Sequence, residues 1–178
     1  MLHSNYEKEG AMCASCHVVT VKTELNNLQA IKNACLKMGW QFCQGQTTYK
    51  WVGTWVDDSP VPRLLFEDEA EYNRVVQMTR EERRRYMPGV LGKCTHAIKI
   101  PGAEGEIGII QRGNLYIPIW DYFAHGLIKL RDANGMAGFM QAYGVERTLL
   151  EAQRHGHTCF QHKLDDGSVQ LRIQLGDI

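Results

Sequence analysis

The sequence predicts an α+β fold: a single two-layer domain, a largely antiparallel sheet with two main helices on one face and a helical insertion. Three observations carry the prediction. Leu28 to Met38 and Met136 to His155 each place apolar residues at spacings of three and four, on one helical face. Several shorter runs are β-branched and aromatic, separated by glycine-bearing turns. The order is strand, helix, strands, helical insertion, strands, helix, hairpin, which sets helices against one face of a sheet.

Taken in order, Val18, Val19 and Val21 mark a first strand running to about Glu24. Asn26 or Asn27 is the expected N-cap of a helix with the stripe Leu28, Ile31, Cys35 and Met38, stopped by Gly39. Trp40 to Val56 is expected to hold one or two strands, with Gly45 and Gly53 as breaks. Pro60 and Pro62 open an insertion over about 59–91, charged and helical, with Thr79 and Glu82 matching a capping box. Strands return in His96 to Ile100, Glu106 to Gln111 and Leu115 to Phe123. In the last helix Ala142, Val145, Leu149 and Ala152 share a face, Arg154 and His155 complement the dipole, and Gly156 ends the run. Asp166-Gly167 reads as a two-residue turn that sets Leu164 opposite Val169, His162 opposite Leu171 and Phe160 opposite Ile173.

The 178 residues suffice for one domain, and 44% hydrophobic with 22% charged residues is ordinary for a globular chain. A formal net charge of zero gives no whole-chain field toward nucleic acid or an anionic membrane. No apolar run reaches the ~20 residues of a membrane span. The amino terminus lacks a signal-peptide pattern, so a cytoplasmic setting with reduced cysteines is expected, in a bacterial host or a plastid-like compartment.

Chemistry-bearing groups are scattered. Cys13-Ala14-Ser15-Cys16-His17 has the spacing of a haem attachment site, but that chemistry needs export. Cys13 with Cys16 would need a second pair, such as Cys94 with His96 or His157 with Cys159, to make a zinc site. No metal and no cofactor are therefore expected. Tyr49 and Trp51 point to one side of a strand next to Lys50, as core or as a platform for nucleobases. Arg80, Arg83, Arg84 and Arg85 interleave with Glu81 and Glu82, as a solvated face or a phosphate contact. Asp121 is the one acid in an apolar strand. A ligand site would bring it to His17, His96 and Trp120; alternatively it lies on the solvent face of an edge strand.

With those residues in view, the chain resembles a family of unknown function, hypothetical proteins encoded in algal plastid and cyanobacterial genomes, with bacterial and phage relatives. The resemblance rests on His17-Val18-Val19-Thr20-Val21-Lys22-Thr23-Glu24-Leu25 and the helix ending at Gly39. Gly45-Gln46, Gly105-Glu106-Ile107-Gly108, Trp120-Asp121, and the run from Gln141-Ala142-Tyr143 through Glu151-Ala152 to Asp166-Gly167-Ser168 complete it. It implies that residues 1–15 are an amino-terminal extension ahead of a domain over 16–178. It implies architecture and no chemistry.

No nucleophile elbow, phosphate loop or zinc-helix motif occurs. The expected function is that of a non-enzymatic binding or assembly factor working through protein contacts or self-association. Its contact surface is expected on the insertion, at Tyr72, Val75, Val76, Arg80 and Arg84. The rival readings are a nucleic-acid-binding accessory protein, with a basic stripe around Lys50 and Arg80 to Arg85, and a small enzyme built on Asp121 and a histidine.

Overall fold

A computed structural model describes residues 18–20, 24–52, 61–121, 124–127, 130 and 133–175. Strand β1 (Val18–Thr20) leads to helix α1 (Leu28–Lys37) and strand β2 (Gln41–Gln44). Helices α2 (Glu69–Gln77) and α3 (Arg80–Tyr86) follow, then strands β3 (His96–Lys99), β4 (Ile107–Arg112) and β5 (Leu115–Asp121). Helix α4 (Ala133–Arg154) and strands β6 (Thr158–Lys163) and β7 (Val169–Gln174) close the chain. The sheet order is β1-β5-β4-β3-β2, with every pairing antiparallel, and β6 with β7 forms a second sheet. This is the expected α+β arrangement.

Local signals set the helix ends. The Asn27 side chain accepts from the Ala30 N–H at 3.0 Å, and Gly39 takes φ 69° after α1. Thr79 and Glu82 form the capping box in both directions at the start of α3. Because β1 and β2 occupy opposite edges of the sheet, α1 must cross it, and it packs beside α4. Alternation on the central strands sends Ile98, Ile107, Ile109 and Trp120 to that helical face. There they bury with Ala30, Ile31, Ala34, Met136, Phe139 and Tyr143. Val145 and Ala152 are also buried, and the terminal hairpin packs on the same helix.

The second face of the sheet is covered too. Ala97, Ile110 and Ile119 bury with Tyr49, and Trp51, Leu64 and Leu65 pack against them. Gly108 makes this possible, since the Tyr49 ring lies directly over it; a Cβ there would sit 2.4 Å from the ring. The insertion has a small core of its own, Val61, Phe66, Val75, Met87, Val90 and Leu91. Trp51 and Leu65 pack against both clusters and tie the insertion to the sheet.

The hairpin departs from expectation by one residue. Lys163 pairs with Val169, Gln161 with Leu171 and Cys159 with Ile173. The turn is longer than Asp166-Gly167: the Gly167 N–H donates to the Leu164 carbonyl and the Leu164 N–H to the Ser168 carbonyl. Only Gly167 takes positive φ, at 82°, so Asp165-Asp166 fill the turn and glycine closes it. A one-residue shift exchanges faces, so Phe160 and His162 lie opposite to the face carrying Leu171 and Ile173.

Candidate functional site

The pairing of Asp121 with His96 expected at this site does not form. His96 lies on the helix-covered face, against Phe42 and Tyr116, and its Nδ1 accepts from the Gly45 N–H at 3.0 Å. Trp120 is on that same face. Asp121, two residues beyond Ile119, is on the other, and it is buried rather than solvent-facing because the Tyr49 layer covers that face. The sheet therefore separates the carboxylate from His96. His17, Cys13 and Cys16 lie outside the described residues. Among the described residues no three His, Cys, Asp or Glu side chains converge as metal ligands, and no helix is long and apolar enough to cross a membrane. Burial pushes the Cys35 thiol up to about 12 and the Cys94 thiol up to about 11, so neither offers a thiolate near neutral pH.

His96 still has a measurable consequence. Burial, and secondly the charge of Lys32, hold its imidazole below the ordinary 6.5. The unfolded chain then binds a proton more readily than the folded one, so stability rises with pH across that interval. The contribution is complete above 6.5 and is lost as pH falls below it. Urea midpoints between pH 7 and 5.5 should drop in the native protein. His96→Gln, whose amide oxygen can also accept from Gly45, should flatten that limb.

The expected partner surface divides. Val75 is fully buried in the insertion core, because it lies on the inner face of α2, and cannot serve a partner. Tyr72 is half-buried between Phe66 and the Arg63 guanidinium. Val76 and Arg80 are exposed.

Arg84 instead joins a groove that sequence reading did not assemble. Residues 46–50 run beside the stretch after α3: the Tyr49 N–H donates to the Gly92 carbonyl at 2.7 Å and the Cys94 N–H to the Thr47 carbonyl at 2.9 Å. Glu106 secures this layer, accepting from the Lys50 N–H at 2.9 Å and the Gln46 amide at 2.8 Å, with Lys99 at 3.5 Å. Gly92, at φ 89°, lets the two stretches close up; a Cβ there would meet the Tyr49 carbonyl at 3.3 Å. Between them lies a cavity of about 600 Å³, whose lining residues include Lys50, Trp51, Arg84 and Lys93. Among the described residues no acidic side chain lines it.

No family model, curated protein or solved structure matches the chain.

The groove's character therefore has to be read from its residues. Lys50, Arg84 and Lys93 have no ion-pair partner among the described residues. Trp51 is half-buried and meets the Tyr49 ring edge-on at 6.1 Å, which fixes its plane. Tyr49 itself is core, and burial raises its hydroxyl far above the ordinary value. Its hydroxyl and the Trp51 and Trp120 indole N–H groups are buried without hydrogen-bond partners among the described residues. Sequence reading singled out Lys50, Trp51 and Arg84 separately. It missed Lys93 and Gly92, although two glycines within four residues, Gly89 and Gly92, signal close backbone approach.

Proposed function

We propose that the protein acts by binding rather than by catalysis, and that the groove between the insertion and the sheet takes an anionic ligand. The observation that carries the reading is three cations around one cavity whose described lining holds no acidic residue. Like charges held close repel, so such a cluster is favourable chiefly when an anion occupies it. Phosphate is the matching chemistry, since arginine grips its oxygens in a fork and lysine serves as a mobile point charge. The separation of His96 from Asp121 withdraws that one histidine from the rival acid–base reading.

Isothermal titration with inorganic tripolyphosphate tests this directly. The native protein should bind, and Lys50→Gln/Arg84→Gln/Lys93→Gln should bind at least roughly tenfold more weakly, all three positions being exposed and tolerant of change. Equal affinity in the two proteins would remove the groove from consideration.

A protein partner remains the second reading, favoured by the terminal hairpin. Phe160, Leu164, Ile173 and Leu175 are 49%, 44%, 45% and 72% exposed there. Light scattering on a concentration series is the measurement, and a monomer throughout would count against self-association.

A further inference from the structure

We infer that the groove's ligand is a single strand of nucleic acid, with an unpaired base stacked on the Trp51 indole and the adjoining phosphates against Lys50, Arg84 and Lys93. The inference rests on the anion-binding reading and adds the ligand's identity. Its first support is the juxtaposition of ring and cations: the lining of one cavity combines Trp51, its plane set by Tyr49, with three positive groups that have no ion-pair partner among the described residues. A compact anion such as free phosphate would use the cations and leave the ring idle. A chain that alternates a flat ring with a charge uses both, and base–aromatic stacking with a basic track is how single strands are held.

The second support is shape. The cations stand around a recess of about 600 Å³, the scale of a small-ligand pocket, and not along a ridge that could enter a duplex groove. In a duplex the base faces are already stacked on one another and only their edges reach the grooves, so Trp51 would find no partner. The third is the balance of the chain. With net charge zero there is no whole-chain pull on polyanions, so attraction depends on local clusters such as this one. Binding should accordingly be local, covering few phosphates, and indifferent to base identity because every base has a π face.

The test uses the full chain and a fluorescein-labelled oligothymidylate of about twelve nucleotides, followed by anisotropy through a salt series. Three phosphate contacts predict that log K falls against log salt with a slope of roughly −2, and Lys93→Gln should reduce that slope by about 0.7. Trp51→Leu should weaken binding roughly 5- to 150-fold, and Trp51→Phe much less, since a ring remains. Trp51 also packs against both core clusters. Ultraviolet cross-linking of the native protein therefore supplies a second, substitution-free measurement, expected to join thymine to Trp51. If tripolyphosphate binds in the groove but the oligonucleotide gains nothing from Trp51, or cross-links elsewhere, the stacking inference is overturned while the anion reading stands. Equal affinity for duplex of the same length also overturns it. If neither tripolyphosphate nor the oligonucleotide binds, both readings fall together.

Discussion

Gly108→Ala is expected to lower stability by about 2–3 kcal/mol, an unusually large effect for one methyl group. The glycine sits in β4, paired on one side with Ala97 and on the other with Ile119, so its backbone cannot retreat without disturbing two ladders. The added carbon would lie 2.4 and 2.5 Å from two atoms of the Tyr49 ring and 3.0 Å from a third. That ring has nowhere to go: it is 5% exposed and enclosed by Ala97, Ile110, Ile119 and Trp51. The measurement is the urea midpoint, which should fall with the m-value unchanged, or a melting temperature lower by about 4–12 °C. Tyr49→Leu should cost stability in the native background but recover part of it in Gly108→Ala, because the clash requires both groups. A Gly108→Ala protein within about 0.5 kcal/mol of native would show that Tyr49 does not occupy that position.

Phe139→Ala should cost more, about 3–5 kcal/mol. Phe139 is 1% exposed, at the heart of the layer between α1, α4 and the sheet, and stacks on Trp40 with centroids 5.5 Å apart and planes 9° from parallel. Truncation removes the buried ring area and leaves a hole that sheet and helices, each fixed by its own hydrogen bonds, can only partly close. Phe139→Leu should retain most of the stability. Guanidinium denaturation of the three proteins gives the comparison, and a loss for Phe139→Ala below about 1.5 kcal/mol would place the ring outside the main core.

What the sequence made legible was whatever is decided within a few residues. Asn27, Gly39 and the Thr79–Glu82 box were readable because capping and helix termination are local chemistry. The alternation of the central strands likewise gave a sheet with a helical side. The hairpin register failed for a local reason: an aspartate-glycine pair serves two turn lengths, and the choice between them reverses every side chain that follows. The occupied second face failed for a non-local one. Nothing near Asp121 reveals that Tyr49 lies over Gly108, since small-for-large matching between distant segments leaves no periodic trace. The groove is the same case. Lys50, Trp51 and Arg84 each looked most like an ordinary core or surface residue, and only the pairing of Tyr49 with Gly92 brings them to a common cavity.

The order of strands in the sheet has a consequence for the newborn chain. Val18 pairs with Asp121, so β1 waits for a partner made roughly a hundred residues later. At about 5–20 residues per second the interval is on the order of 5–20 s. Throughout it, α1 has no complete sheet to lie on, and β2 lacks a neighbour until β3 arrives. The meander β3-β4-β5 can form as soon as it is synthesised, because its turns are short. Among the described strands of this sheet, β2 to β5 can therefore join in the order in which they are made, and β1, made before them, is bound last.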